Sequence, residues 1–263
     1  MLNFNLSGKR ALVCGASQGL GAAAAYALAE LGCEITALAR NKTALTHLIT
    51  TLPHEHHQQH RYCGTDVSDH EHLAQIIGDE IKCNGNFDIL INNSGGPNPG
   101  PIEKATAAEF QQAFNQHLQT NVLLTSLLLP YMKEKKYGRI INIISTSVKS
   151  PIDNLGVSNT IRASVAAWAK TLSYEVAKFG VTVNSVLPGF IATSRLEQLI
   201  TELARARQVS TDTIRQEIIA SIPAGRLGTP QEIGAAIAFL ATPAASYING
   251  IAMPIDGGRT KVL

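Results

Sequence analysis

The sequence predicts an α/β fold: a doubly wound, seven-stranded parallel sheet with helices on both faces. Short apolar runs rich in β-branched residues alternate with longer amphipathic runs, which is typical of β-α-β units. A glycine-rich turn separates the first strand-like run from the first helical run. The chain has 263 residues, enough for one large domain with its own core. We therefore expect residues 1–263 to form a single domain.

Seven short runs are predicted as strands because they are mostly apolar or β-branched, as strands covered by helices on both faces are. Turn residues or helical runs separate them, so each is expected to pair in parallel with its neighbours. The predicted strands span residues 11–14, 34–39, 61–64, 87–92, 139–144, 182–187 and 251–255.

Capping boxes mark three of the helix starts between these strands. In such a box a Ser or Thr and a Glu three residues later satisfy backbone amides at the helix start. The predicted pairs are Ser68 with Glu71, Thr106 with Glu109, and Thr229 with Glu232. Residues 189–229 depart from the alternation, and we predict a helical substrate flap there. It begins at the carboxyl end of the sixth strand, the end where such sheets bind ligands.

Composition excludes several classes of partner. A formal net charge of +2 and a charged fraction of 16% give no strong field, so neither nucleic acid nor a membrane surface is expected. No apolar run approaches the ~18 residues of a membrane span, and the N-terminal residues lack the apolar core of a signal peptide. The histidine-rich stretch 54–60 lacks the spacing of a zinc motif, so no metal is expected.

The cysteines favour a reducing compartment. They form no C-x-x-C pair, and their positions in or beside predicted elements indicate buried, reduced thiols. We therefore expect a cytoplasmic protein. The four residues are Cys14, Cys33, Cys63 and Cys83.

The glycine-rich turn after the first strand predicts a phosphate-binding site. Glycines let the backbone turn sharply and approach a pyrophosphate closely, and the N–H groups that start the next helix attract the anion. Glycines that serve only a tight turn are the alternative. The residues expected to bind a nucleotide here are Gly15, Ser17, Gln18, Gly19, Leu20 and Gly21.

The end of the second strand predicts which nicotinamide cofactor binds. An acidic side chain there would accept hydrogen bonds from the adenosine ribose and repel a 2′-phosphate. The chain has Ala39 followed by Arg40, and a guanidinium can bind a phosphate through charge-assisted contacts. This favours NADP(H), although a solvated loop arginine is the alternative for Arg40.

Further motifs after the later strands resemble those of the short-chain dehydrogenase/reductase family. The G-x-x-x-G-x-G spacing is the first, and Asp256-Gly-Gly near the C-terminus is the last. The likeness spans residues 6–258 and is greatest to the classical branch that contains the 3-oxoacyl-acyl-carrier-protein reductases. It implies a Rossmann-like fold and an oxidoreductase.

The resemblance also implies cofactor contacts beyond the glycine-rich turn. Asp66 and Val67 resemble the family's adenine-contacting pair, and Thr193 resembles the residue that helps to hold the nicotinamide carboxamide. The remaining cofactor residues implied in this way are Asn93, Ser94, Gly95, Arg162, Pro188 and Gly189.

The catalytic positions depart from the family pattern. The family uses a tyrosine as proton donor, a lysine four residues later, a serine that binds the substrate oxygen, and a supporting asparagine. Ser145 matches the serine, but ungapped counting places Ser158 at the tyrosine, Arg162 at the lysine and His117 at the asparagine. Two Tyr-x-x-x-Lys strings, at residues 131–135 and 174–178, lie elsewhere and are predicted to be helix ends.

Two hypotheses follow from this altered site. Serine is a far weaker acid than tyrosine, whereas Arg162 can still bind ribose hydroxyls and Ser145 can still stabilise an oxyanion. The first hypothesis is a reductase with a non-standard site of Ser145, Ser158 and Arg162. The second is a cofactor-binding pseudoenzyme that acts as an NADPH sensor or scaffold. His117 could supply the proton, but a buried structural histidine is the alternative.

The expected substrate is a small-molecule carbonyl or acyl thioester, as the resemblance implies. The same resemblance implies a homotetramer or homodimer. Four flap arginines could attract an acyl carrier, but the acidic residues among them favour an ordinary solvated helix face. These arginines are Arg195, Arg205, Arg207 and Arg215.

Overall fold

Residues 2–262 are described by a computed structural model, and they contain one seven-stranded sheet. The strands are β1 Arg10–Cys14, β2 Glu34–Ala39, β3 Arg61–Gly64, β4 Ile89–Asn92, β5 Gly138–Ile143, β6 Val181–Pro188 and β7 Ala252–Ile255. Their order is β3-β2-β1-β4-β5-β6-β7, and every neighbouring pair is parallel. The predicted fold class is confirmed.

Nine α-helices lie among the described residues. They are α1 Gly19–Glu30, α2 Lys42–Thr51, α3 His70–Asn84, α4 Ala107–Phe114, α5 Thr120–Glu134, α6 Gly156–Val176, α7 Ser194–Arg207, α8 Thr211–Ala220 and α9 Pro230–Ala241. A π-helical turn, Asn115–Gln119, joins α4 to α5. Such turns are rare and often occur at functional sites.

Alternate residues of each strand enter opposite cores. In β1, Val13 packs into the core formed with α1, α2 and α9, whereas Leu12 packs into the core formed with α3, α5 and α6. Both side chains are fully buried. Burial on both faces explains why the central strands are mostly apolar.

The capping prediction holds at two helices and is wrong at the third. Thr106 and Thr229 form complete capping boxes at α4 and α9. At α3 the N-cap is Asp69, whose side chain accepts from the amide of His72 at 3.2 Å. Ser68 cannot cap because its amide and hydroxyl both donate to Asp66 Oδ1.

The segment predicted as a flap contains α7 and α8, which form a small core of their own. Leu196 and Ile200 of α7 pack against Ile214 and Ile218 of α8. An isolated parallel bridge between Ile191 and Gly228 holds the two ends of the segment together. The segment therefore leaves the sheet after β6 and returns to nearly the same place.

The cysteine prediction is correct for three residues. Cys14, Cys33 and Cys63 are buried and free, whereas Cys83 is exposed near the end of α3. The amphipathic pattern of α3 turns this position to solvent. Within residues 2–262, no helix is both long and apolar enough to cross a bilayer.

Candidate active site

One cavity of about 700 Å³ opens at the carboxyl ends of the strands. The strand order reverses between β1 and β4, and doubly wound sheets bind ligands at such a switch point. Of the predicted residues, Gly21 and His117 do not line this cavity. Those that do are Gly15, Ser17, Gln18, Gly19, Leu20, Arg40, Asp66, Val67, Asn93, Ser94, Gly95, Ser145, Ser158, Arg162, Pro188, Gly189 and Thr193.

The glycines of the first turn have different tasks. Gly19 has a φ of 58° and lines the cavity, and a Cβ placed there would meet only Thr193 Cγ2, at 3.8 Å. It therefore presents bare backbone to a ligand. A Cβ on Gly21 would collide with the carbonyl oxygen of Gly15. Gly21 thus allows α1 to pack closely against the turn.

The start of α1 is open to a ligand. Six other helices have side-chain caps, but the N-cap Gln18 of α1 makes no such bond and the first turn has no acid. The N–H groups at this end are left for an anion, which the helix dipole also favours. Bare glycine backbone beside an uncapped helix fits the pyrophosphate of a dinucleotide.

We expect Gly21→Ala to lower the free energy of unfolding by about 1–3 kcal/mol, the usual effect of overpacking. The matched control is Gly78→Ala in α3, where an added Cβ meets nothing within 4 Å. That change should be neutral or stabilise by up to about 1 kcal/mol. Urea unfolding measures both, and equal stability of the two variants would contradict the close packing at Gly21.

Asn93, which follows β4, forms hydrogen bonds to the glycine-rich turn. Its Nδ2 donates to the carbonyl oxygens of Cys14 and Gly15, at 3.4 and 3.3 Å. A Cβ on Gly15 would lie 2.6 Å from this nitrogen. The amide thus occupies the space that a side chain at residue 15 would need, and it fixes the shape of the turn.

Arg40 and Asp66 lie at the ends of β2 and β3. The side chain of Arg40 is 80% exposed, and its Nη1 lies 3.6 Å from Asp66 Oδ2. Hydrogen bonds from Ser68 lower the pKa of Asp66, so this carboxylate stays ionised at neutral pH. The exposed Arg40 guanidinium retains free donors toward the cavity.

Ser145, Ser158 and Arg162 meet where β5 approaches α6. The hydroxyl oxygen of Ser145 accepts from the amide of Ser147 at 3.1 Å, which leaves its own O–H free to donate. Arg162 Nε donates to Ser158 Oγ at 3.2 Å, and Arg162 Nη1 donates to the carbonyl oxygen of Ile144 at 2.9 Å. The guanidinium is therefore held beside the end of β5.

The positive charge of Arg162 has no carboxylate partner among residues 2–262. Partial burial, followed by the charge of Arg195, lowers the pKa of Arg162 to about 10. The group therefore remains cationic at neutral pH. An unpaired cation beside a free hydroxyl can stabilise negative charge that develops on a bound oxygen atom.

His117 lies behind the cavity, in the π-helical turn. It is buried, and its Nδ1 is 2.6 Å from Ser94 Oγ, a residue that does line the cavity. Burial and the nearby Arg162 lower the pKa of His117 to about 3. The imidazole is neutral at neutral pH, so it lacks the acid form that a proton donor needs. Its catalytic role stays a prediction.

His117 should make stability depend on pH. Its pKa is about 3 in the folded state against 6.5 when unperturbed, so only the unfolded chain binds the proton between these values. Stability should therefore fall as pH drops below about 6.5, by up to ~1.4 kcal/mol per pH unit. In His117→Asn, the difference in protons bound between the unfolded and folded states should be smaller by nearly one, and the slope should fall accordingly. Urea unfolding at about pH 6 and pH 5 compares the two proteins, and identical slopes would contradict the burial of a neutral imidazole.

The base of the flap closes the cavity on the side of β6. Gly189 follows the end of this strand, and a Cβ there would lie 2.6 Å from Asp256 Cβ. Thr193 caps α7 by accepting from the amide of Leu196, and its hydroxyl donates to the carbonyl oxygen of Ile191 at 3.3 Å. The methyl group of Thr193 lies near the glycine-rich turn, since a Cβ on Gly19 would be 3.8 Å from Thr193 Cγ2.

The two Tyr-x-x-x-Lys strings lie outside the cavity, as predicted. Tyr131 is in the last turns of α5, and Tyr174 is 71% exposed near the end of α6. No tyrosine in the described part of the chain lines the cavity.

Sequence reasoning missed several cavity residues in and after the flap. Arg195, in the first turn of α7, lines the cavity and donates to the carbonyl oxygen of Pro97 at 3.0 Å. Phe190 and Arg259 also line it, and the guanidinium carbon of Arg259 lies 4.6 Å from the Phe190 ring centroid. Phe190 and Arg259 directly follow the motifs Pro188-Gly189 and Asp256-Gly-Gly, and these positions could have indicated that both residues lie near the site.

Fold and cavity together define a dinucleotide-binding α/β protein of the doubly wound type. The family model described as enoyl-(acyl carrier protein) reductase matches residues 15–260. The chain belongs to the family that this model represents, the short-chain dehydrogenase/reductases.

Two curated relatives illustrate the sequence similarity. The 3-oxoacyl-[acyl-carrier-protein] reductase FabG of Vibrio cholerae is 35% identical over 261 residues, which are 98% of this chain and 100% of the relative. The NADPH-dependent reductase BacG of Bacillus subtilis is 31% identical over 258 residues, 97% of this chain and 99% of the relative.

Solved structures show the same fold over the full length. The L-sorbose reductase of Gluconobacter frateurii, complexed with NADPH and L-sorbose, superposes with a TM-score of 0.92 at 27% identity, covering 99% of this chain and 100% of that one. YwfH, an NADPH-dependent reductase involved in bacilysin biosynthesis, gives 0.91 at 30% identity, covering 97% and 99%.

Proposed function

We propose that the chain is an NADP(H)-dependent carbonyl reductase whose active site uses Ser145, Ser158 and Arg162 without a tyrosine–lysine pair. The observation that carries this proposal is the single cavity that joins the glycine-rich turn to these three side chains. The substrate is a small carbonyl compound of the 3-oxoacyl kind, in line with the FabG relative.

The predicted enzyme class and cofactor are confirmed by the relatives. BacG and the solved YwfH are named as NADPH-dependent reductases, and the L-sorbose reductase was solved with NADPH and L-sorbose. The chain is thus an oxidoreductase that acts on CH–OH or C=O groups with NADP(H). The homodimer or homotetramer and the cytoplasmic location stay predictions.

NADPH, when bound, supplies the hydride that reduces the carbonyl carbon. The turn from Gly15 to Gly21 binds its pyrophosphate, and Arg40 binds its 2′-phosphate. Asp66 and Val67 contact adenine, and Thr193 with Pro188 and Gly189 positions the nicotinamide. These assignments support a cofactor that runs along the carboxyl edge of the sheet, from β3 to β6.

The reacting carbonyl oxygen is held by Ser145 and faces the charge of Arg162. Ser145 donates its free O–H to that oxygen, and Ser158 keeps the guanidinium oriented through Arg162 Nε. Negative charge develops on the oxygen as the carbon is reduced, and both groups stabilise it. The oxygen then takes its proton from water, because Arg162 stays charged.

This mechanism predicts a reduction rate that is nearly independent of pH between about 6 and 9. Neither His117, with a pKa of about 3, nor Arg162, with a pKa of about 10, titrates in that range. Steady-state kcat/KM with NADPH, measured across the range with a non-ionising ketone, checks this. A change of tenfold or more through one apparent pKa would point to a proton donor that the mechanism lacks.

Cofactor binding and turnover are tested in one preparation. Fluorescence titration with NADPH and NADH comes first, followed by a panel of 3-oxoacyl thioesters, diketones and quinones, with an enoyl thioester for C=C reduction. Tight NADPH binding with carbonyl-dependent oxidation supports the proposal. Tight binding without turnover supports the alternative, an NADPH sensor or scaffold, and failure to bind either cofactor contradicts both.

A further inference from the structure

The substrate end of the cavity is strongly cationic. Arg162, Arg195 and Arg259 all line it, together with residues that follow β5, β6 and β7. Within residues 2–262, Asp66 is the only carboxylate in the lining. Asp66 follows β3 and lies beside Arg40, at the other end of the sheet from β5, β6 and β7. Nothing acidic in the lining therefore balances the three arginines.

Among the described residues, three other arginines of the flap region are paired with carboxylates, whereas Arg205 has no carboxylate partner but is exposed and does not line the cavity. Arg207 pairs with Glu217, Arg215 with Glu197 and Arg226 with Glu232. Arg195 belongs to the same region, yet in the described structure its guanidinium has no carboxylate partner and donates one hydrogen bond, to the carbonyl oxygen of Pro97. The unpaired charge at residue 195 is the one that faces the cavity.

Arg259, like Arg195, lines the cavity and has no carboxylate partner among the described residues. Its guanidinium lies over the Phe190 ring, and its Nε is buried with no hydrogen-bond partner among residues 2–262. No side chain or backbone group of the described residues therefore neutralises or binds this nitrogen, and the guanidinium keeps its full positive charge beside the cavity. Stacking on an aromatic ring also holds the guanidinium plane in a fixed orientation.

Resting on the proposed function, we infer that the substrate is an oxo acid, whose carboxylate binds to Arg195 and Arg259 while its carbonyl faces Ser145. Two guanidinium groups can bind one carboxylate through several charge-assisted hydrogen bonds. The cavity of about 700 Å³ holds cofactor and substrate together, so the acid is a small molecule.

The test compares acids with their uncharged methyl esters. The probes are 4-oxopentanoate and 5-oxohexanoate, in which the carbonyl is remote from the carboxyl group, so acid and ester react alike in the absence of protein. We expect kcat/KM at least about tenfold higher for at least one acid than for its ester. A 3-oxoacyl-coenzyme A thioester in parallel tests whether phosphate, rather than carboxylate, is the anion bound.

Arg195→Gln and Arg259→Gln should each lower the acid-to-ester ratio by about tenfold. The matched control is Arg205→Gln, an exposed arginine of the same helix that does not line the cavity; its ratio should equal that of the unchanged protein. If Arg195→Gln weakens NADPH binding and leaves the ratio unchanged, Arg195 is a cofactor contact and the inference is wrong.

Calorimetry separates this inference from the proposed function. Each acid and ester is titrated into the NADPH-loaded protein, which measures substrate binding without turnover. Preferential binding of an acid, lost in Arg195→Gln, supports the inference even where no probe is reduced, and only the proposed function then fails. Equal binding of acid and ester, no binding of either, or preference for the coenzyme A thioester alone overturns the inference.

Discussion

Replacing Arg162 with alanine should lower kcat for carbonyl reduction by about 10²–10³-fold, the usual effect of removing one group that stabilises a developing oxyanion. The guanidinium lines the same cavity as Ser145 and has no carboxylate partner in the described structure, and its bond to the carbonyl oxygen of Ile144 fixes its place. Steady-state kinetics at saturating NADPH measure the loss.

Three controls keep this result interpretable. Arg205→Ala removes an exposed arginine outside the cavity and should leave kcat unchanged. Arg162→Lys keeps the charge but loses the bond from Nε to Ser158, so it should retain more activity than the alanine variant. Thermal unfolding reports whether each variant folds. A folded Arg162→Ala protein with undiminished kcat would remove Arg162 from the mechanism.

Replacing Arg40 with alanine should weaken NADPH binding by about 10–100-fold and leave NADH binding nearly unchanged, because a charge-assisted contact contributes roughly 1.5–3 kcal/mol. The side chain is 80% exposed and lies 3.6 Å from Asp66, so its removal should not disturb the fold. Fluorescence titration with both cofactors measures the change.

Ala39→Asp provides the converse experiment. Ala39 also lines the cavity at the end of β2, and a carboxylate there should accept bonds from the ribose and repel the 2′-phosphate. We expect NADPH affinity to fall and NADH affinity to rise. Unchanged NADPH affinity in both variants would place the 2′-phosphate elsewhere.

Most of the fold follows from local sequence. Burial on both faces makes the central strands mostly apolar, and β2 and β3 have the predicted bounds. The predicted start of α3 is wrong because a neighbouring side chain binds the residue that was expected to cap the helix. Asp66 takes the amide and hydroxyl of Ser68, so α3 begins one residue later than the capping pattern indicates.

The candidate site was predictable where one loop carries it, and less so where distant segments meet. The glycine-rich turn and Arg40 lie next to recognisable strands, and both line the cavity. The sequence pattern places Arg195 among the solvated flap arginines, because it does not show which turn of α7 faces the sheet. Only the fold brings Arg195 and Arg259 together with Ser145.

Deuterium transfer from [4-²H]NADPH is the most direct test of the central claim, a carbonyl reductase that works without a tyrosine. Both 4-deuterated epimers of the cofactor are incubated with the carbonyl and oxo-acid panel, and products are analysed by mass spectrometry for the unchanged protein and for Ser145→Ala. The account predicts that one epimer transfers deuterium to the carbinol carbon of a product, and that Ser145→Ala slows this by about 10²-fold or more. NADPH binding without deuterium in any product, or equal transfer by Ser145→Ala, would contradict it.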